Sequence, residues 1–417
     1  MRASHQGQGG SYVLFFPALS LASQLPQGFA APAVPVGAGL PAIGPAKATQ
    51  GHWAGFTKLS PNCGSAPART SSHSRSTGDF VFGVFSMRVC LFLLALSCAC
   101  FSWAAPRCDV HAPVQQAQLK QVSLAYQSVG RATDPALLLI MGLGGQLIHW
   151  PDEVVEALCK QGFRVIRYDN RDVGLSRWNQ PPADASLAYE LLRYRLGLSV
   201  SAPYTLEDMA EDSLELMAYL GQERFHVLGV SMGGMIAQHV AAMASDKVES
   251  LTLIMSSSGA QGLPAPSPAL ISQLARRSAP NREVAIEQQA DLLAALGSPQ
   301  VQDDRRVLLQ QAAQSYDRAF NPDGVKRQIM AILAEPSRVE LLNRLRVPTL
   351  VVHGTADPLL PVMHGVHLAA HIQGSQLALI PGLAHRFQEP FKAALLGAVL
   401  PYLQSHRADD IRHIAQR

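Results

Sequence analysis

Phe225-His-Val-Leu-Gly229-Val230-Ser231-Met232-Gly233-Gly234-Met-Ile-Ala-Gln-His-Val-Ala-Ala-Met243 passes from an apolar strand-like run, through a serine set between glycines, into an apolar helix-like run. The centre fits the pattern G-x-S-x-G, in which the glycines permit a tight strand-to-helix turn that leaves the serine hydroxyl exposed. Three fixed positions are a weak signal in 417 residues, so the strand before and the helix after carry the reading. No other stretch of the chain matches the pattern.

Outward from this elbow, from about residue 120, short apolar runs alternate with longer amphipathic stretches, the order expected where helices join parallel strands. Leu137-Leu-Leu-Ile-Met141, Phe163-Arg-Val-Ile-Arg-Tyr168, Ser250-Leu-Thr-Leu-Ile-Met255, Pro348-Thr-Leu-Val-Val352 and Gln376-Leu-Ala-Leu-Ile380 each read as strands buried on both faces. Residues 120–128 read as an added antiparallel edge. Thr205-Leu-Glu-Asp208 approximates a capping box and opens a helix that glycine ends at Leu220-Gly221. Between Met255 and Pro348 the strand pattern gives way to helical stretches at 283–296 and 302–320, which predicts a helical cap over about residues 260–346. The fold class is α/β, a mostly parallel central sheet with flanking helices and an inserted helical cap.

Two further residues stand where the elbow needs partners. His353-Gly-Thr-Ala-Asp357-Pro follows the run ending at Val352, and Pro381-Gly-Leu-Ala-His385-Arg-Phe387 follows the run ending at Ile380. Both places lie at the C-terminal edge of a strand, where open α/β sheets build their sites. Serine is a poor nucleophile at neutral pH, so an imidazole must take its proton, and a carboxylate must fix the tautomer and stabilise the imidazolium. Ser231, His385 and Asp357 are therefore the expected nucleophile, base and orienting acid, in the chain order Ser, Asp, His. His226 and His353 sit within or at the end of strands, where core and turn roles are commoner. Met141-Gly-Leu-Gly-Gly145 follows the first long strand and supplies a close-approach loop, so the backbone amides of Leu143 and Met232 are the expected oxyanion donors.

Together these motifs resemble the α/β-hydrolase superfamily, and within it the aclacinomycin-methylesterase-like and lactonase-like serine esterases, over roughly residues 120–403. Tyr168-Asp-Asn-Arg-Asp-Val-Gly-Leu-Ser176, Pro203-Tyr-Thr-Leu-Glu-Asp-Met209 and Phe320-Asn-Pro-Asp-Gly324 carry the narrower likeness. Met141 stands where many relatives carry His, and residues 180–202 read as an insertion beside the pocket mouth. Relatives with Asp at the elbow are dehalogenases and epoxide hydrolases, which Ser231 disfavours. Asp169 and Asp172, with Arg171 between them, match a structural turn in such relatives.

The chain is 48% hydrophobic and 16% charged, which excludes a disordered acidic protein and leaves ample material for a core. Its formal charge of +3 comes from the front: 28 of the 34 basic residues and 30 of the 31 acidic ones lie from Ala105 onward. No basic block suited to phosphates remains there, so nucleic acid is not an expected partner.

Residues 1–86 are rich in Gly, Pro, Ala and Ser, without a sustained period, and are read as a non-native or unstructured extension. Met87-Arg88, the apolar run Val89 to Phe101 and Ser102-Trp-Ala104 then form a signal-peptide pattern, with cleavage after Ala104. Translation from Met87, export to a periplasmic or extracellular space, and no stable membrane insertion after cleavage are the expectations. A transit peptide, a membrane anchor over 80–101 and a lipoprotein signal at Cys98 are the alternatives. As an anchor, the segment would bury Arg88 at a cost of about 3 kcal/mol. Of six cysteines only Cys108 and Cys159 lie beyond the signal; a disulfide between them and simple core packing of Cys159 both fit. No paired Cys/His cluster or HExxH occurs, and His364, His367 and His371 have no acid or cysteine beside them, so neither metal nor cofactor is expected.

The leading expectation is hydrolysis of a small or medium carboxylic ester or lactone through an acyl-enzyme, with a small-molecule partner only. Acyl transfer or perhydrolysis by the same residues, and ligand binding without catalysis, are the other readings.

Overall fold

The computed structural model describes residues 108–180, 186–268, 270, 273 and 279–407. The predicted signal at 87–104 and the preceding residues 1–86 lie outside them. Among the described residues nine strands form one sheet: β1 (Gln115–Gln118), β2 (Val122–Val129), β3 (Ala136–Ile140), β4 (Arg164–Tyr168), β5 (Arg177–Trp178), β6 (Phe225–Val230), β7 (Val248–Ile254), β8 (Thr349–Gly354) and β9 (Gln376–Ile380). Their order is β1-β2-β4-β3-β6-β7-β8-β9, with the short β5 paired to β2. From β4 to β9 every pairing is parallel, whereas β2 runs antiparallel to β1, β4 and β5.

Ten helices are described: α1 (Asp152–Lys160), α2 (Leu187–Arg195), α3 (Leu206–Tyr219), α4 (Met232–Met243), α5 (Arg282–Ala295), α6 (Arg305–Arg318), α7 (Pro322–Ala334), α8 (Val339–Arg344), α9 (Met363–His371) and α10 (Phe391–Ser405). Side chains alternate across a strand, and the core divides accordingly. Leu138, Ile140, Val227, Leu251 and Val351 pack with residues of α3, α4, α8 and α9 on one face. Leu137, Leu139, Leu228, Ile254 and Val352 pack with residues of α1 and α10 on the other. Among the described residues no helix is long and apolar enough to cross a membrane.

Two strand expectations are corrected. The 120–128 strand is not the edge: β2 lies inside it, and the edge is β1. The 376–380 strand is not buried on both faces, because β9 closes the opposite edge and leaves Leu377 and Leu379 exposed. Apolar composition reports the capacity for burial, not the presence of a neighbouring strand. The capping box holds: Thr205 Oγ1 accepts Asp208 N–H at 3.0 Å, and Asp208 Oδ2 accepts Thr205 N–H at 2.7 Å.

Helices α5 to α8 lie between β7 and β8. α5 and α6 share a small apolar core of Ile286, Ala290, Leu308 and Ala312. α7 instead packs through Ile329, Met330 and Leu333 against Leu187 and Leu191 of α2, with Leu143 of the β3 loop at the edge of that cluster. Residues 187–195, part of the stretch read as an insertion, are thus a helix docked on α7. Cys108 and Cys159 are joined as a disulfide across 51 residues, tying the segment before β1 to α1. A closed loop of that size stabilises by about 4 kcal/mol on chain-entropy grounds.

Candidate active site

β6 ends at Val230 and α4 begins at Met232, so Ser231 alone makes the turn, at φ 55° and ψ −121°. Such a conformation costs a non-glycine residue on the order of 1–3 kcal/mol and persists only where the surroundings impose it. Ser231 N–H donates to Ile254 O at 3.0 Å, and Ser256 Oγ donates to Ser231 O at 2.8 Å. The flanking glycines serve close approach: a Cβ on Gly233 would strike the Ile140 carbonyl, and one on Gly229 would strike the Gly233 carbonyl. The half-buried Ser231 caps no helix amide with its side chain, which leaves the hydroxyl available.

Ser231 Oγ lies 3.0 Å from His385 Nε2, and His385 Nδ1 lies 2.7 Å from Asp357 Oδ2. Asp357 Oδ1 accepts the amides of Leu359 at 2.9 Å and Leu360 at 2.8 Å. Burial by itself opposes ionisation of Asp357, but the charge and hydrogen bond of His385, with His353 and the Leu360 amide, outweigh it and hold the carboxyl below its ordinary range. A carboxylate only accepts, so Nδ1 carries the imidazole hydrogen and Nε2 turns its lone pair to Ser231. His385 N–H donates to Leu296 O at 3.0 Å, which ties the histidine loop to the end of α5. The arrangement can take a proton from Ser231 and stabilise the imidazolium that results.

The β3 loop abuts Ser231: a Cβ on Gly142 would come within 3.0 Å of its Cβ and 3.6 Å of its Oγ. Leu143 follows Gly142, and Met232 is the first residue of α4, where helix amides are unpaired and the helix dipole is positive. Among the described residues neither the Leu143 nor the Met232 amide donates to a backbone or side-chain acceptor.

The competing histidines are committed elsewhere. His353 Nε2 donates to Leu360 O at 2.7 Å and lies 3.7 Å from Asp357 Oδ2; burial pushes its imidazole down. His226, wholly buried in β6, bonds Ser250 Oγ through Nδ1 at 2.8 Å. His364 bonds Ser257 Oγ and Pro264 O, while the His367 and His371 rings stack at 4.1 Å. Among the described residues no group of three His, Cys, Asp or Glu side chains is arranged to hold a metal ion.

The 168–176 segment acts as a brace. Asp169 accepts the Leu147 and Leu175 amides and pairs with Arg318 of α6, while Asp172 pairs with Arg327 of α7. Arg171 forms a two-pronged pair with Asp212, both bonds 2.7 Å; burial opposes its charge, but the Asp212 bonds prevail and raise it. Burial and the Arg318 guanidinium push His149 down to about 4. Its Nδ1 accepts Gln146 N–H, so the neutral ring donates from Nε2 to Ser315 Oγ of α6 at 2.7 Å. Sequence reading did not find Arg318, Arg327 or His149; their Asp169, Asp172 and Ser315 partners lie far along the chain, where no spacing rule applies.

A family model described as alpha/beta hydrolase fold matches residues 135–390. The rhodomycin D methylesterase DauP of Streptomyces sp. strain C5 is 29% identical over 313 residues, covering 68% of this chain and 97% of its own. A putative carbamate hydrolase, RutD of Stutzerimonas stutzeri, is 29% identical over 271 residues, covering 63% and 90%. Among solved structures, a hydrolase from Pseudomonas aeruginosa PA01 superposes with a TM-score of 0.54 at 28% identity, covering 70% of this chain and 98% of its own. With the matched segment spanning the elbow and the loops of Asp357 and His385, the chain belongs to the α/β hydrolase fold family.

Proposed function

We propose that the protein is a serine esterase acting on a small or medium carboxylic ester or lactone. The observation that carries the reading is the run of contacts Ser231 Oγ to His385 Nε2 at 3.0 Å and His385 Nδ1 to Asp357 Oδ2 at 2.7 Å, on a strained elbow. Ser231 Oγ attacks the ester carbonyl while His385 takes its proton. The amides of Leu143 and Met232 hold the oxyanion. His385 then returns the proton to the leaving alcohol, and an acyl-enzyme remains. Water, deprotonated by His385, attacks that acyl group; the carboxylic acid departs and Ser231 regains its hydrogen. The helices inserted between β7 and β8 serve as the cap. The apolar cluster of Leu143, Ile329, Met330, Leu187 and Leu191 beside the oxyanion loop favours an apolar ester. A methylesterase among the relatives supports the same class.

The test is turnover of p-nitrophenyl butyrate by the full chain, with products analysed with and without added methanol. Butyrate is the expected product. A folded chain without turnover contradicts the reading; methyl butyrate as the main product makes the protein an acyltransferase.

We also infer export. The signal pattern at 87–104 and the Cys108–Cys159 pair, which suits an oxidising compartment, both support it. N-terminal sequencing of the native protein should begin at Ala105; sequence from residues 1–86 would contradict this.

A further inference from the structure

Gln328 sits in the interior of α7 with its side chain fully buried, and its hydrogen bonds go to Gly144 and Arg171 instead of to Ser231, His385 or Asp357. It reaches 184 positions back along the chain: Oε1 accepts Gly144 N–H at 2.9 Å, while Nε2 donates to Arg171 O at 2.8 Å. Gly144 is the third residue of the turn closed by Gly145 N–H to Gly142 O at 3.0 Å, and its φ is +64°. A positive φ at that position turns the central peptide, which carries the Gly144 N–H, opposite to its direction in the commoner type I turn. Glycine tolerates both directions, so an external acceptor decides between them. Gln328 is that acceptor, and it thereby fixes ψ of Leu143 and anchors the turn; the Leu143 N–H belongs to the adjoining Gly142–Leu143 peptide, whose place follows that of the anchored turn.

The rest of the turn is held from both sides. Val325, one helical turn before Gln328, closes the space outside Gly144, where an added Cβ would come within 3.2 Å of Val325 Cγ2. Asn170 Nδ2 donates to Met141 O at 2.8 Å, and the neighbouring Arg171 carbonyl is the one Gln328 holds. The geometry points to Gln328 as a positioning residue that sets the oxyanion turn. The insertion then takes part in transition-state stabilisation instead of only walling the pocket. This rests on the esterase reading of Ser231.

The experiment compares the full chain with Gln328→Met, which keeps length and bulk and loses both hydrogen bonds. Displacing a group by about 1 Å costs on the order of 10²-fold in rate, so kcat on p-nitrophenyl butyrate should fall about 10- to 100-fold with KM within about threefold. Affinity for n-butylboronic acid, whose tetrahedral adduct with Ser231 places an oxygen in the oxyanion position, should fall by the same factor, while butyrate binds unchanged. A merely structural role would weaken both ligands together. Gln328→Glu should restore most of the rate, because a buried glutamic acid is driven to its neutral form and keeps both bonds. If the Met variant does not fold, Gln328→Asn, which stops one methylene short of Gly144, takes its place in the same comparison. An active wild type beside a variant with undiminished kcat and boronate affinity overturns the role of Gln328 alone. A wild type that neither turns over nor binds the boronate overturns the esterase reading, and this role with it.

Discussion

Ser231→Ala is expected to lower kcat on p-nitrophenyl butyrate by on the order of 10⁴-fold or more, equivalent to about 5 kcal/mol of barrier, with KM nearly unchanged. The size follows from what the hydroxyl does in the proposed reaction. It is the atom that forms the covalent bond, so its removal leaves only the oxyanion donors and binding to speed attack by water. The fold should survive: alanine keeps Cβ and the same backbone strain at φ 55°, and the contacts that pin the elbow come from Ser231 N–H and Ser231 O, which the substitution spares. Steady-state kinetics beside a thermal melt check both halves. A variant that melts like the wild type yet keeps more than about a hundredth of its rate would remove Ser231 from the chemistry.

Asp357→Asn is the second large effect, expected at about 10⁴-fold in kcat. The cause is the tautomer, and the structure gives it a specific form. The Leu359 and Leu360 amides both donate to Asp357 Oδ1. In the asparagine variant that position must be taken by the carbonyl oxygen, which leaves the NH₂ group facing His385 Nδ1. His385 then accepts at Nδ1 and carries its hydrogen on Nε2, towards Ser231, where it can no longer act as a base. Labelling by a fluorophosphonate should slow by a factor similar to that in kcat, because both depend on the same proton transfer. Equal labelling rates in the variant and the wild type would contradict the role given to Asp357.

How far the sequence alone leads can be judged from particular residues. The elbow was legible because strand, turn and helix are contiguous, and each has its own periodicity. The placement of Asp357 and His385 within reach of Ser231 was legible because both follow short apolar runs that form strands, and loops at the C-terminal ends of parallel strands converge on one edge of the sheet. Thr205 and Asp208 were legible as a local pair three residues apart. By contrast, the exposure of Leu377 and Leu379 depends on β9 having a neighbour on one side only, which composition does not encode. The Arg171–Asp212, Asp169–Arg318 and Gly144–Gln328 contacts join positions 41, 149 and 184 residues apart, where no spacing rule applies. The pairing of Cys108 with Cys159 was one of two readings that fitted the sequence, and only the docking of α1 beside the segment before β1 separates them.

The most direct test of the account is the site of covalent modification. The full chain, treated with a fluorophosphonate and analysed by peptide mass spectrometry, should carry one adduct on the peptide containing Ser231, with labelling lost in Ser231→Ala. A folded wild type left unlabelled, or labelled at another serine such as Ser257 or Ser315, would contradict the assignment of Ser231 as an activated nucleophile.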